Sequence, residues 1–257
     1  MRALTVAPLL FILLLSVGCG GNRVRPAAAG ADAAQGPTAP GMPPDFAEEE
    51  GENDPWEGIN RKVFKFNTAV DKAVLKPVAK AYDKVMPELA KKGVGNVFRN
   101  LGEPTVIVND LLQGKFKQSL ADTARFVANS TIGLLGLFDV ATSMGLPRHQ
   151  EDFGQTLAVW GLGDGPFLML PFLGPRNLRD TGGFVVDWYT DPVTYHDPEG
   201  ERWGIRALGF IDTRAQLLTA SSVLEQATDD EYLFLREAYR QKRLDLIHDG
   251  EVPAHLR

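Results

Sequence analysis

From Trp56 to Val74 the chain spaces its apolar side chains as a helix does. At about 100° per residue, Trp56, Ile59, Val63, Phe66, Val70 and Val74 fall on one face, and Lys62, Lys65, Lys72 and Lys76 form a stripe roughly 110° away. The start is marked by Asp54 as N-cap, Pro55 at the first helical position and Glu57 placed to reach back as in a capping box. This spacing predicts a helix to about Lys76. Pro77, Pro87 and Pro104 recur where the first turns of later segments should lie, each fixing φ where no backbone donor is needed, so the middle of the chain reads as short, bent helices. The helical apolar pattern continues through Val106, Ile107, Val108, Leu111 and Leu112, and again through Leu120, Ala124 and Val127. Tyr232, Leu235, Tyr239, Lys242 and Leu246 mark a last amphipathic helix, with Arg236, Arg240 and Arg243 outside its main apolar stripe. The predicted class is mainly α, and no repeat of fixed period emerges.

Two uncharged stretches break the pattern of an ordinary soluble domain. One is residues 132–138, made of Ile132, Gly133, Leu134, Leu135, Gly136, Leu137 and Phe138. The other runs over residues 157–175, where Asp164 is the sole ionisable side chain among apolar residues that include Trp160, Phe167, Met169 and Phe172. Its glycines and prolines argue against a long regular helix and predict a short hairpin or broken loop near 157–173. Neither stretch reaches the roughly 20 apolar residues that a spanning helix needs. Periodicity leaves three readings open: buried core, contact with hydrocarbon from one side, or the wall of a path for an apolar ligand.

Ahead of these elements stands a different kind of segment. Arg2, an apolar run over residues 3–15, and Gly18 before Cys19 have the form of a processed lipoprotein signal, with Ser16 where leucine is usual. Residues 1–18 are expected to be removed and Cys19 to carry the lipid. Residues 19–53, rich in Pro, Ala, Gly and finally Glu, cannot bury enough apolar surface to fold and form a tether. Residues 54–249 then make one domain, and residues 250–257 a tail. The formal charge of −6 argues against nucleic acid as a partner, although basic residues dominate between Arg61 and Lys117. Cys19 is the single cysteine, so no intramolecular disulfide forms.

Catalytic patterns are sparse. No serine sits in a Gly-x-Ser-x-Gly elbow, and His149, His196, His248 and His255 lack metal-ligand spacing. Gly161, Gly163 and Gly165 are followed by an apolar segment where a phosphate loop would start a helix. Asp152, Asp164, Asp180 and Asp187 are spaced as caps and turn residues, with nothing to favour an acid–base pair. The sequence points to no enzyme and no cofactor.

Asp54-Pro-Trp-Glu-Gly-Ile-Asn-Arg61 with Phe64-Lys-Phe-Asn67, and Asn100-Leu-Gly-Glu-Pro-Thr-Val-Ile-Val-Asn109 with Leu112-Gln-Gly114, resemble the VacJ/MlaA family of outer-membrane lipoproteins. Phe153-Gly-Gln-Thr-Leu157, Gly163-Asp-Gly-Pro166, Leu170-Pro-Phe172, Leu178-Arg-Asp-Thr-Gly-Gly183, Thr213-Arg-Ala-Gln-Leu-Leu218 and Arg236-Glu-Ala-Tyr239 follow in the family's order. The resemblance covers roughly residues 54 to 249, and many ordered motifs together are specific. It implies a ring-like bundle of bent amphipathic helices in the periplasmic leaflet of a Gram-negative outer membrane, enclosing an amphipathic channel. It also implies that phospholipid mislocated in the outer leaflet is passed to a soluble periplasmic carrier that feeds an inner-membrane ABC-type complex, with trimeric porins as partners. On that reading Lys62, Lys65, Lys72 and Lys76 meet headgroups, and residues 132–138 with Trp160, Phe167, Met169 and Phe172 touch channel or membrane. The uncharged glycine-rich stretches are expected to let acyl chains slide past, so that a tryptophan at Gly133 or Gly136 would obstruct the path or jam its gating. Structural scaffolding of porins and lipid modification remain as alternatives.

Overall fold

The computed structural model describes residues 54–228 and 230–254; the signal, Cys19 and the tether lie outside the described residues. Helix α1 (Glu57–Val70) runs through a π-helical turn (Asp71–Leu75) into α2 (Lys76–Val85), so the first helix continues past the predicted end. The π turn is anchored by Arg214, whose Nε and Nη2 lie 2.6 and 2.8 Å from the two carboxylate oxygens of Asp71. Next come α3 (Glu88–Leu112) and α4 (Phe116–Thr131), the short α5 (Val140–Ser143), and α6 (Phe153–Val159). Strands β1 (Phe167–Leu170) and β2 (Gly174–Asn177) pair antiparallel, Leu168 opposite Arg176. Helix α7 (Leu178–Thr190), a 3₁₀ turn (Pro192–Tyr195), α8 (Glu199–Gln216), α9 (Leu218–Ala227) and α10 (Glu231–Ile247) complete the described chain.

The mainly helical class matches the expectation, and four local expectations are corrected. The hairpin occupies residues 167–177, and Leu157 belongs to α6 because Asp152 caps that helix by accepting from Gln155 N at 2.9 Å. The middle is not a series of short helices: α3 has 25 residues and carries Pro104 in its interior. Asp54 does not cap α1. It is buried, and its carboxylate accepts from Asn60 Nδ2 at 2.7 Å and from the Tyr232 hydroxyl, which ties the start of the domain to α10. Glu57 turns outward to pair with Arg61.

The fourth correction concerns α10. Arg236 and Arg243 are buried with Tyr232 and Tyr239, because positions 232, 236, 239 and 243 recur at helical spacing and share one face. Arg243 Nη1 and Nη2 bind both oxygens of Asp152 at 2.5 and 3.0 Å, and its Nε lies 2.7 Å from Asp180 Oδ2. A bidentate guanidinium thus joins α10 to the N-terminal ends of α6 and α7. The apolar core is small: Phe167, Met169 and Tyr232, with Val63, Phe64, Leu233, Leu235 and Tyr239 packed around them.

Two asparagines seat the hairpin on α1. Asn60 Nδ2 donates to Phe167 O at 3.0 Å while Asn60 Oδ1 accepts from Met169 N at 2.9 Å. One turn pair further on, Asn67 Nδ2 donates to Leu170 O and Asn67 Oδ1 accepts from Phe172 N, each at 2.9 Å. The amide side chains satisfy an edge that a two-stranded sheet would otherwise leave open. Phe66 and Phe172 close over this joint edge to face, with centroids 5.4 Å apart.

Candidate functional site

Helices α3 and α4 are amphipathic in the opposite sense from a soluble bundle. On α4, Ser119, Asp122, Arg125 and Asn129 form the buried stripe, while Phe116, Leu120 and Val127 are exposed. On α3 the buried stripe is Asn100, Glu103, Val106, Asn109 and Asp110, while Val108, Leu111 and Leu112 face outward. Among the described residues, buried polar and charged side chains outnumber buried apolar ones. Lysine-rich solvated faces do not explain this, since the buried stripes consist of groups that bond to one another.

The seam between α3 and α4 is held by such bonds. Asn100 Nδ2 donates to Ser130 Oγ at 2.9 Å and Gln118 Nε2 to Asp110 Oδ1 at 2.8 Å, while Arg125, 3.8 Å from Glu103 of α3, also ties α4 to Asp139 and Leu146 O on either side of α5. Asn109 links three helices, since its Oδ1 accepts from the Thr156 hydroxyl at 2.7 Å and its Nδ2 donates to Asp187 Oδ1 at 3.1 Å. Burial pushes Glu103 up to about 7, with Asp122 adding to the rise and Arg125 opposing it. Asp187 is raised to about 6, again chiefly by burial. His149 Nδ1 lies 2.9 Å from Asp122 Oδ2 and His196 Nε2 lies 3.0 Å from Glu201 Oε2, so each is held in a pairwise contact. Among the described residues no three His, Cys, Asp or Glu side chains converge as a metal-binding group.

The loop at residues 132–138 turns its side chains out and its backbone in. Ile132, Leu134, Leu135, Leu137 and Phe138 are exposed, Leu135 at 77%. The amides of Ile132 and Gly133 donate to Ala128 O, Leu135 to Ser130 O, Gly136 to Asn129 O and Phe138 to Gly133 O, all between 2.8 and 3.1 Å. Internal satisfaction of this kind is what backbone against hydrocarbon requires. Leu134 and Leu135 hold positive φ values of 53° and 59°, a conformation that side chains of this size rarely adopt. Gly133 and Gly136 are buried against protein. A Cβ at Gly133 would stand 2.2 Å from Phe138 O, and one at Gly136 2.5 Å from Asn100 Cβ. A tryptophan at either position would therefore break the loop itself, which corrects the expectation of a simple obstruction.

The other expected site residues separate into two groups. Trp160, on the loop after α6, and Phe172, at the hairpin tip with φ 64°, are exposed, whereas Phe167 and Met169 are buried at 3% and 4% in the core. Lys62, Lys65 and Lys72 are exposed along α1 and its π turn, and Lys76 is half-buried. The apolar face of the same helix is exposed too, at Trp56, Ile59, Phe66 and Val74. Sequence reasoning missed Asn60, Asn67, Asn109, Arg125 and Arg243. Their signal was the recurrence of hydrogen-bonding residues with short or planar side chains at helical spacing, across from the apolar stripe on α3 and α4 and along the flank or within the face of the apolar residues on α1 and α10. Among the described residues no helix is long and apolar enough to cross a membrane.

A family model described as MlaA lipoprotein matches residues 52–245. The chain is 37% identical over 217 residues to the intermembrane phospholipid transport system lipoprotein MlaA of Escherichia coli K12, covering 80% of this chain and 82% of that protein. The protein of the same name from Haemophilus influenzae is 32% identical over 209 residues, with 78% and 81% covered. A solved structure described as "Structural basis for maintenance of bacterial outer membrane lipid asymmetry" aligns with a TM-score of 0.68 at 37% identity, over 76% of this chain and 99% of that one. The order of motifs, the helical fold with its single described hairpin and the extent of these matches agree, and the chain belongs to the MlaA lipoprotein family.

Proposed function

We propose that this protein is an outer-membrane lipoprotein that removes mislocated phospholipid from the outer leaflet and passes it toward the inner membrane, maintaining outer-membrane lipid asymmetry. The observation that carries this reading is the inverted distribution of side chains: exposed apolar residues on α1, α3, α4, the 132–138 loop and the hairpin tip, around seams of buried polar groups. A surface of that kind is stable against acyl chains and costly in water. On this reading the domain sits in the periplasmic leaflet with its exposed apolar residues against acyl chains. A ring of bent helices around an amphipathic path would let headgroup and acyl chains move without a covalent step, so the protein acts without catalysis. Lys62, Lys65, Lys72 and Lys76 stand at headgroup depth beside the apolar face of α1, their stems covering apolar surface. Trp160, Phe172 and the outward residues of 132–138 contact acyl chains. Cys19 carries the acyl groups that deliver the protein, a soluble periplasmic carrier receives the lipid on its way to an ABC-type complex, and a trimeric porin is the membrane partner.

Deleting the gene and quantifying surface-exposed phospholipid tests this. Exposure should rise and return to normal with the wild-type gene; unchanged asymmetry would leave the porin scaffold as the reading. Incubating purified protein with labelled phospholipid should give binding without turnover, and turnover would identify a lipid-modifying enzyme. Because the domain presents its own apolar surface, protein already inserted should stay membrane-bound after its tether is cut within residues 20–53. Release on cutting would make Cys19 the main anchor.

A further inference from the structure

A charged cleft of about 330 Å³ opens between α2, α3 and α8. Lys92, Gly95 and Arg99 follow one another along its α3 wall at positions i, i+3 and i+7, hence on one face. Gly95, without a side chain, lets the polar groups of α8 come close to α3. A Cβ there would lie 3.1 Å from Gln216 Nε2, 3.4 Å from Asp212 Oδ2 and 3.7 Å from Arg99 Nη1, so three polar groups converge beside Gly95.

The charges fall into two sets. Lys91 Nζ is held by Asp83 Oδ1 and Glu88 Oε1, each at 2.6 Å, which leaves that end with an excess negative charge. At the other end stand Lys92, Arg99 and the buried Asp212, with an excess positive charge. Among the described residues Arg99 bonds through its side chain to Asn96 Oδ1, and neither Arg99 nor Lys92 pairs with a carboxylate. Asp212 is fixed as an acceptor by the Tyr82 hydroxyl at 2.8 Å and Gln216 Nε2 at 2.7 Å. Burial, and then the bond to Asp212, push Tyr82 up to about 12, so its hydroxyl stays a donor. Gln216 keeps a second amide hydrogen for a ligand. Val85, Leu89 and Leu217, next in the chain to the charged lining, are strongly exposed apolar residues.

We propose that this cleft is a headgroup subsite for a zwitterionic phospholipid of the phosphoethanolamine class, with phosphate over Gly95 between Lys92 and Arg99 and ammonium against Asp83 and Glu88. The inference rests on the lipid-transfer reading above and adds where and which headgroup is held. Three cations balance three carboxylates in the lining, so a ligand with separated charges and no net charge leaves no ion uncompensated. A phosphoglycerol headgroup carries the anion without the cation and leaves the Asp83–Glu88 end unmatched. The exposed Val85, Leu89 and Leu217, close in sequence to the lining, would meet the beginnings of the acyl chains, which a free phosphate ester lacks.

Calorimetric titration of the full-length protein in uncharged detergent micelles tests the proposal, with dihexanoyl phosphatidylethanolamine, dihexanoyl phosphatidylglycerol, free phosphoethanolamine and inorganic phosphate as probes. Phosphatidylethanolamine should bind best, and Arg99→Gln should weaken it about tenfold, as expected for one charge-assisted hydrogen bond. Lys92→Gln should weaken it about threefold. Gly95→Leu should abolish it, and a thermal melt shows whether that variant folds; if it does not, the two milder variants carry the test. Phosphatidylethanolamine binding that ignores both Arg99→Gln and Lys92→Gln overturns the subsite and leaves lipid transfer standing. A wild-type protein that binds neither phospholipid overturns lipid transfer as well. Equal affinity for phosphatidylglycerol overturns the zwitterion preference. Free phosphoethanolamine or inorganic phosphate binding as tightly as the lipid would identify a soluble anion as the ligand.

Discussion

Asn60 and Asn67 make the same pair of bonds to the same strand edge, yet their removal should cost different amounts. Asn60→Ala deletes the donor to Phe167 O and the acceptor for Met169 N, and both backbone groups belong to buried residues. Each orphaned group costs about 1–3 kcal/mol when no water can reach it. Asp54 loses one donor but keeps the Tyr232 hydroxyl, so its share is small. The sum is about 3–5 kcal/mol. Asn67→Ala frees Leu170 O and Phe172 N at the exposed hairpin tip, where water replaces the amide, and should cost about 1 kcal/mol. Thermal unfolding in detergent gives the two losses, and hydrogen exchange locates them. In Asn67→Ala the Phe172 amide should lose protection while the Met169 amide keeps it; in Asn60→Ala both should exchange faster. Equal destabilisation by the two variants, or a protected Met169 amide in Asn60→Ala, would refute the view that α1 amides hold the hairpin from a dry side.

Arg243→Ala leaves the carboxylates of Asp152 and Asp180 facing an empty site and should cost about 3–5 kcal/mol in an unfolding experiment, the loss expected when one partner of a buried ion network is removed. Gly133→Ala and Gly136→Ala should each cost about 1–3 kcal/mol of thermal stability, by clash with Phe138 O in one case and with Asn100 Cβ plus a φ of 88° in the other. Gly102→Ala, in α3 with nothing within 4 Å of its Cβ, should instead stabilise by about 0.5–1 kcal/mol. Glu103, raised to about 7 in the fold, holds its proton more tightly there than in the unfolded chain. Its contribution is therefore complete below the ordinary glutamate range near about 4.3 and is lost as pH rises through about 7. Melting temperature measured against pH should fall over that window, and Glu103→Gln should flatten the fall.

The helices that begin and end the domain were legible from spacing, and so was the absence of a long regular helix between residues 157 and 175. The errors have physical causes. Asp is as good an acceptor for Asn60 and Tyr232 as for the backbone at a helix start, so Asp54 carries the same sequence signature whichever partner it takes. The charge of Arg236 and Arg243 reads as solvent-facing, yet their positions put them on the face of Tyr232 and Tyr239, where Asp54, Asp152 and Asp180 pair with them. Pro104 reads as a first-turn residue, yet α3 absorbs it because Glu103 and Val106 are already buried against neighbouring helices.

The direction in which each amphipathic helix faces was the deepest ambiguity, because an apolar stripe has the same period whether it meets core or hydrocarbon. What breaks the symmetry is the chemistry of the opposite stripe. A solvated face can be built from long, independent lysines and glutamates, as Lys62, Lys65 and Lys72 are on α1. A face turned inward has to pair its polar atoms, so it draws on Asn, Asp, Ser and Arg in positions that reach one another, as on α3 and α4. The loop at residues 132–138 obeys the same rule in its backbone. It gives up regular helix, yet the amides of Ile132, Gly133, Leu135, Gly136 and Phe138 all end on carbonyls of the same segment or of α4. The positive φ of Leu134 and Leu135 is the strain that this turn carries while both side chains point outward. Largely closed backbone, outward leucines and buried asparagines together are what the contact with hydrocarbon proposed above requires, and they turn the paired polar groups of α3 and α4 inward.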